Sequence, residues 1–273
     1  RVLDSNFPNE GKFTKLFEKK LSILLKTKYV VTVTSGTIAI FLALKAVGIK
    51  KNDEVITSPN TFAATTNMLI AVGAKPIFCD IKTGTYNLNE KEIKNLITKK
   101  TKAVVSVPMW AAPKMDELVG ICEDHNIILI EDAAQSLGAS YNGNKLGTIG
   151  KVGTFSFDFG KTLHTGEGGM IVTDDKDCYD RAAEFSDHGH MHVAGLPRGK
   201  DPRRCPGLNY RMSELTASVG LAQLKKIDYI LDKAKENKYK IKNAILGLPG
   251  IECREFYDED GAQGDTLIFS VKS

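Results

Sequence analysis

Short apolar segments alternate regularly with helical segments over the first half of this 273-residue chain. Strands are predicted at residues 29–33, 53–57, 75–80, 102–107 and 127–130, and helices at residues 12–26, 38–47, 62–72, 90–98 and 115–125. This alternation builds βαβ units, in which a largely parallel sheet carries helices on both faces. Ligands bind such sheets at the carboxyl ends of the strands. The pattern therefore predicts an α/β fold with its site at that edge.

The second half of the chain is less regular. Helices are predicted at residues 177–185, 214–227 and 233–246, and strands at residues 251–254 and 266–271. Residues 186–207 carry three prolines and a histidine cluster, a composition typical of a loop. The last two strands have no helix after them, so the sequence ends in an unfinished layer.

Composition and charge exclude several classes of protein. The net charge of +4 is spread out, and no basic run with interleaved aromatics is present, so no nucleic-acid partner is expected. No apolar run reaches membrane-spanning length, and the first residues lack the apolar core of a signal peptide. The five cysteines are scattered, with no CxxC pair, which favours a reducing cytoplasm over a disulfide framework or a zinc site.

Residues 153–173 carry the main candidate for chemistry. Phe155 and Phe157 alternate with polar residues as in a strand, and Lys161 follows among small and hydroxyl-bearing residues before a glycine turn. Burial would lower the pKa of such a lysine, and a neutral amine is what a Schiff base with an aldehyde requires. Most lysines, however, are solvated surface charges. This stretch alone therefore favours the surface interpretation.

A second candidate lies where the strand at residues 29–33 meets its helix through Ser35, Gly36 and Thr37. The first N–H groups of a helix have no intrahelical acceptor, and the helix dipole favours a phosphate there. Serine and threonine are also ordinary helix caps. The segment is consistent with either an anion cradle or a simple capping turn.

Asp132 follows the apolar strand at residues 127–130 and Glu131, and it precedes small residues. This position predicts a buried carboxylate, although a surface carboxylate or a helix cap is the commoner fate of aspartate. A buried carboxylate needs a cationic partner. No basic residue adjoins Asp132 in sequence, so the cation must come from the fold or from a ligand.

The histidines at 188, 190 and 192 have a spacing that could suggest a metal site. Gly189 and the following prolines instead indicate a loop rather than the strand that would align the three rings. Surface or substrate-contacting histidines are expected here, and no metal is.

Six motifs in order resemble the DegT-type (StrS-like) sugar aminotransferases. They are residues 35–37 (SGT), 61–62 (TF), 130–135 (IEDAAQ), 155–161 (FSFDFGK), 166–169 (GEGG) and 209–214 (NYRMSE). The resemblance implies a pyridoxal 5′-phosphate (PLP) enzyme of fold type I, the aspartate aminotransferase-like fold. It also implies a large PLP-binding domain over residues 1–227 and a small C-terminal α/β domain begun by residues 228–273. Compared with the family, the sequence begins late and ends inside that small domain.

The resemblance assigns roles to residues. Lys161 corresponds to the lysine that binds the cofactor as a Schiff base and then moves a proton. Asp132 corresponds to the carboxylate that pairs with the pyridine nitrogen and so maintains the electron sink. The other implied cofactor contacts are Gln135 near the ring hydroxyl, Phe62 on the ring, Gly36, Thr37 and Ser156 at the phosphate, and Asn209 at the phosphate of the neighbouring subunit. His164 and His188 are candidate substrate contacts, and the shared site implies a homodimer.

The implied reaction transfers an amino group from an amino acid, glutamate being expected, to a keto or aldehyde sugar in sugar or surface-polysaccharide biosynthesis. Family members with histidine at the lysine position deoxygenate sugars instead, so Lys161 favours transamination. A PLP-dependent dehydratase or lyase and a non-catalytic PLP-fold regulatory protein are the alternatives. Residues 160–169, 187–199 and 251–270 most resemble the 8-amino-3,8-dideoxy-octulosonate transaminases.

Overall fold

The computed structural model describes residues 2–4, 8–9 and 11–272. Its α-helices are α1 (Lys12–Leu25), α2 (Gly36–Ala46), α3 (Ala63–Ala71), α4 (Glu90–Leu96), α5 (Met115–Asp124), α6 (Lys176–Ser186), α7 (Glu214–Leu224) and α8 (Ile227–Ile245). Its strands are β1 (Tyr29–Val33), β2 (Glu54–Thr57), β3 (Lys75–Phe78), β4 (Thr101–Ser106), β5 (Ile128–Asp132), β6 (Ser140–Tyr141), β7 (Asn144–Lys145), β8 (Val152–Ser156), β9 (Gly169–Thr173), β10 (Ile251–Cys253) and β11 (Phe269–Val271). Asn89 and Ser213 cap α4 and α7, each accepting a hydrogen bond from a first-turn amide.

The central sheet has seven strands in the order β1-β9-β8-β5-β4-β2-β3. The pairs β3–β2, β2–β4, β4–β5 and β5–β8 are parallel, whereas β9 runs antiparallel to both β8 and β1. No helix separates β8 from β9, and strands joined without a crossover helix pair antiparallel. The prediction of a largely parallel sheet is confirmed.

Helices cover both faces of this sheet. Helix α2 buries seven of its eleven residues, because it packs between the sheet and the helices α3 and α6. On another part of the sheet α1 buries Phe17, Leu21 and Leu25, which form one apolar cluster with Phe155 and Phe157. The spacing of Phe13, Phe17, Leu21, Leu24 and Leu25 predicts one apolar helix face, and this is the face that packs. Strand β9 is buried throughout, and β4 and β5 are buried in their last four residues, which matches strands covered on both sides.

The C-terminal part begins with α8, which starts at Ile227 rather than at residue 233 as predicted. Residues 254–265, here named the strap, lie between the antiparallel strands β10 and β11. The strap packs on the sheet-bearing part of the chain. Its backbone bonds there include Glu255 N–H to Gly84 O at 2.9 Å, Ser140 N–H to Gly261 O at 2.8 Å and Gln263 N–H to Trp110 O at 2.8 Å.

The sequence predicts neither a membrane-spanning segment nor a disulfide framework, and the described residues bear on both. In that part of the chain, no helix combines the length and apolar character needed to cross a membrane. All five cysteines are free thiols; Cys79, Cys122 and Cys178 are buried.

Candidate active site

A cavity of about 340 Å³ opens where β5 and β8 end and α2 and α3 begin. Seven predicted site residues line it together: Gly36, Thr37, Phe62, Asp132, Gln135, Ser156 and Lys161. They come from four separate parts of the chain, and the parallel strands bring them to the same edge of the sheet. The position predicted from the alternating pattern is where the cavity lies.

Lys161 lies in the turn after β8 and is half-buried. Its Nζ donates a hydrogen bond to Gln135 Oε1 at 2.8 Å. Burial lowers the pKa of this amine, while the carboxylates of Asp132, Asp158 and Asp265 oppose that shift. A lowered pKa increases the fraction of neutral amine, which is the form that attacks a carbonyl carbon.

Asp132 is the last residue of β5, and only 4% of it is exposed. Its Oδ2 accepts from Thr65 Oγ1 at 2.6 Å, and its Oδ1 accepts from the Ala134 amide at 3.3 Å. Burial raises the pKa of this carboxyl, because two neutral donors and the more distant Lys161 do not replace water. Across residues 11–272, no cationic side chain is hydrogen-bonded to it. A cationic group of a ligand would supply that direct partner.

The start of α2 forms the opposite wall. Ser35 caps the helix, accepting from Ile38 N–H at 3.2 Å. A Cβ added at Gly36 would lie 2.7 Å from Ser156 Cβ, so only glycine allows the helix start to approach the end of β8 this closely. The amides of Gly36 and Thr37 belong to the first turn and have no intrahelical acceptor. Together with the Ser156 hydroxyl, they form a cradle for an anion.

Phe62 precedes α3 and remains 75% exposed beside the cavity. An aromatic ring exposed at a cavity can stack on a planar ligand. Thr65, three residues later, is buried and holds Asp132. The sequence interpretation missed Thr65, although residues three apart share one helix face and the TFAAT segment carried that signal.

Three predicted site residues do not line this cavity. Asn209 is exposed, and its Oδ1 accepts from Arg211 Nε at 3.1 Å. The His164 ring lies 3.1 Å from the Gln223 amide nitrogen, and His188 is exposed with a φ of 55°. Whether any of the three contacts a ligand stays a prediction.

The other two histidines of the cluster face carboxylates. His190 Nδ1 lies 3.3 Å from Asp201, and His192 Nε2 lies 3.6 Å from Asp187. Within the described ranges, no group of three His, Cys, Asp or Glu side chains could hold a metal ion.

The cavity thus offers an anion cradle, a buried carboxylate lacking a cation and an amine with a lowered pKa. PLP carries the complementary groups: a phosphate, a protonatable ring nitrogen and an aldehyde. The residues present therefore fit PLP.

Comparison with known sequences decides the family. The pattern of the DegT/DnrJ/EryC1/StrS aminotransferase family matches residues 1–271. The chain belongs to this family. It is 38% identical over 243 residues to GDP-perosamine synthase of Vibrio cholerae, covering 88% of this chain and 65% of that protein. It is 36% identical over 266 residues to the spore coat polysaccharide biosynthesis protein SpsC of Bacillus subtilis, covering 95% of this chain and 68% of that one.

Solved structures of related proteins share the fold. The structure of Escherichia coli GDP-4-keto-6-deoxy-D-mannose-3-dehydratase with bound hydrated PLP matches with a TM-score of 0.91 and 28% identity. The match covers all of this chain and 74% of that one. The fold is therefore that of the fold type I PLP-dependent enzymes, as predicted. The chain spans less than two thirds of the length of the Vibrio cholerae relative, 65%.

Proposed function

We propose that this chain belongs to a PLP-dependent sugar aminotransferase. The observation that carries the proposal is one cavity lined by Asp132, Lys161 and the Gly36–Ser156 cradle, which would hold the ring nitrogen, the aldehyde and the phosphate of the cofactor. Family membership supports the same chemistry.

Bound PLP would supply an aldehyde carbon and a ring able to take up an electron pair. Asp132 would hold a proton on the ring nitrogen, and Thr65 would keep its carboxylate oriented. Lys161 would bind the aldehyde carbon, then accept and return the proton of the substrate carbon, as its lowered pKa permits. Gln135 would donate to the ring hydroxyl, Phe62 would cover the ring, and Gly36, Thr37 and Ser156 would hold the phosphate.

The proposed substrates are an amino-acid donor, glutamate, and a keto or aldehyde sugar acceptor. The names of the relatives, a GDP-perosamine synthase and a polysaccharide biosynthesis protein, support a sugar acceptor and sugar or surface-polysaccharide biosynthesis. Within that class the octulosonate amines stay a proposal, which rests on the three similar sequence segments alone.

The E. coli neighbour is a dehydratase, which makes dehydration the second candidate reaction. An intact Lys161 in the cavity favours transamination over the histidine-type dehydratase, because family members with histidine at that position deoxygenate sugars. A non-catalytic regulatory protein would keep the cofactor but would not turn over.

The oligomeric state, the location and the domain boundary are proposals as well. We propose a cytoplasmic homodimer with shared sites, in which Asn209 reaches the neighbouring subunit's phosphate and His164 and His188 approach the sugar. The domain boundary is proposed at the start of α8, after Ile227, as the sequence interpretation placed it.

A two-step experiment tests the function. Purified protein loaded with PLP is first mixed with glutamate, and conversion to the amine form of the cofactor is followed by absorbance together with 2-oxoglutarate release. A panel of keto and aldehyde sugars is then added to that form. We expect stoichiometric conversion, then reversal by at least one sugar with an amino sugar as product. A dehydratase would release a deoxygenated sugar, and a regulatory protein would give no 2-oxoglutarate; either result would overturn the proposal.

A further inference from the structure

The turn that carries Lys161 is restrained locally by few bonds. The Lys161 amide donates to Asp158 O at 3.0 Å, and the Gly160 amide donates to Asp158 Oδ2 at 3.1 Å. Phe159, in the middle of the turn, is 78% exposed. Restraints of this local kind do not by themselves fix where the turn lies relative to the rest of the cavity wall.

A long-range restraint reaches the turn through Thr162. The Thr162 hydroxyl donates to Asp265 Oδ2 at 2.9 Å and accepts from Gln263 Nε2, residues 103 and 101 positions later. Gln263 Nε2 also donates to Asp265 Oδ2 at 3.0 Å. The three side chains therefore close a triangle in which both amide hydrogens of Gln263 are used.

Within the triangle, Gln263 is held more firmly than Thr162 and Asp265. It is 3% exposed, whereas Asp265 is exposed. Its backbone N–H donates to Trp110 O at 2.8 Å, beside the cavity residue Met109, and its carbonyl accepts from Lys238 Nζ of α8 at 2.6 Å. One buried residue thus joins α8, the cavity wall and the turn of the lysine.

We infer that Gln263 of the strap is a positioning residue for Lys161, acting through Thr162. The inference rests on the proposed function of Lys161. The side-chain hydrogen bonds of Gln263 reach Thr162 and Asp265 rather than the amine itself. Gln263 therefore holds the residue next to Lys161, and with it the direction from which the amine enters the cavity. The strap is thereby part of the active site's support.

The test measures cofactor capture in full-length protein freed of cofactor. In capture, the Lys161 nitrogen bonds to the PLP aldehyde carbon and the aldehyde oxygen leaves as water. PLP is added, samples are reduced with borohydride at intervals, and the labelled Lys161 peptide is quantified by mass spectrometry. Binding of pyridoxine 5′-phosphate is measured in parallel. This compound has no aldehyde, so its affinity measures non-covalent binding in the cavity without bond formation to Lys161.

Matched variants separate positioning from general destabilisation. Thr162→Val removes the hydroxyl at nearly constant volume, Thr162→Ser keeps it, and Gln263→Leu removes the amide. Tyr257→Phe is the control within the strap, because its hydroxyl bonds Glu90 at 2.7 Å and Lys82 at 2.6 Å, away from Thr162.

We expect capture to slow about tenfold or more in Thr162→Val and Gln263→Leu, because a displacement of about 1 Å of a reacting group costs up to about a hundredfold. Pyridoxine phosphate affinity should stay unchanged, and Thr162→Ser and Tyr257→Phe should capture at the wild-type rate. Wild-type capture rates in both folded Thr162→Val and Gln263→Leu would overturn the inference. Equal slowing in Tyr257→Phe would also overturn it. No capture on Lys161 in the wild type would instead contradict the proposed function.

Discussion

At the scale of single residues, the account depends on two side chains whose burial changes their chemistry. Burial raises the pKa of the Asp132 carboxyl and lowers the pKa of the Lys161 amine. Each shift is unfavourable for the charged form in the cofactor-free protein. Groups with such shifts on the same cavity are typical of an active site.

The first prediction concerns turnover in Asp132→Asn. If Asp132 holds the ring proton, loss of the charged partner costs on the order of 3–5 kcal/mol. A rate falls tenfold per about 1.4 kcal/mol, so we expect a loss of roughly a hundredfold to several thousandfold. Steady-state kinetics measure it, with circular dichroism as the check on folding. Near-normal turnover in a folded variant would refute the assigned role.

The second prediction concerns the stability of the cofactor-free protein. Because the pKa of Asp132 is raised on folding, the native state binds more protons than the unfolded chain between the ordinary and the raised pKa. The free energy of unfolding therefore falls as pH rises through that window. The amide in the Asp132→Asn variant does not ionise, so the variant escapes this loss. At pH 7 we expect a higher Tm for cofactor-free Asp132→Asn than for wild type.

Two comparisons control the stability experiment. Below the ordinary pKa of aspartate, about 3.9, the advantage of Asp132→Asn should disappear because the wild-type carboxyl is protonated in both states. Saturating PLP should stabilise the wild type more than the variant. A cofactor-free wild type that is the more stable protein at pH 7 would show that the carboxylate is not destabilised by burial.

Sequence reasoning reached Asp132 and Lys161 for different reasons. The apolar strand before Asp132 predicted its burial, and the structure confirms it. For Lys161 the local pattern favoured a surface lysine, and only the resemblance reversed that interpretation. Thr65 was missed because its spacing from Phe62 places it on the same helix face but does not show that α3 lies against the end of β5, where Thr65 bonds Asp132.

At the scale of elements, the site is made by the close approach of a helix start to a strand end. The cradle requires α2 and β8 to meet at Gly36 and Ser156. Strand β9 also approaches the start of α2, since a Cβ added at Gly169 would lie 2.5 Å from the Ser35 backbone. Most elements and their types were predictable from periodicity, whereas the antiparallel direction of β9 and the early start of α8 were not. Those two features depend on pairing and packing rather than on local preference.

The third prediction tests this approach with Gly36→Ala. The added methyl would lie 2.7 Å from Ser156 Cβ, so the helix start must shift. Overpacking of this kind costs about 1–3 kcal/mol, and we expect weaker binding of pyridoxine phosphate as well. Gly120→Ala in α5 is the matched control, because the new Cβ meets nothing within 4 Å apart from its chain neighbours and its own helix backbone.

For the control we expect a stability gain of about 0.5–1 kcal/mol, the usual difference between alanine and glycine in a helix interior. Its affinity for pyridoxine phosphate should equal that of the wild type. Denaturant titration and fluorescence binding measure the two quantities. A Gly36→Ala protein with wild-type stability and affinity would show that the close approach is unimportant.

At the scale of the whole molecule, we propose a site that is shared between two chains. Asn209 is exposed and does not line its own cavity, as a residue serving a neighbouring subunit requires. A turn residue before α7 would be exposed in the same way, since asparagine is common in turns. The sequence alone could not decide between these, because a contact between chains leaves no local pattern in either chain.

The fourth prediction separates the two interpretations with mixed dimers. One chain carries Lys161→Ala and the other Asn209→Ala, so only the second chain has a lysine. If sites are shared, that lysine is served by the normal Asn209 of the Lys161→Ala chain, and we expect full wild-type activity per lysine. Tagged heterodimers are purified and assayed per lysine.

The reverse pairing is the control. Both substitutions are placed on one chain, which is paired with wild type. A shared site then weakens the only lysine-bearing site, whereas an unshared site leaves it fully active. Full activity per site in this second heterodimer would rule out the shared arrangement.

The most direct test of the central claim is the chemical identity of the lysine that holds PLP. The purified protein with bound cofactor is reduced with borohydride, digested and mapped by mass spectrometry, with Lys161→Ala treated in parallel. We predict that the reduced cofactor is found on the peptide containing Lys161 and is absent from the variant. Cofactor attached to a different lysine in the wild type, or to none, would contradict the account.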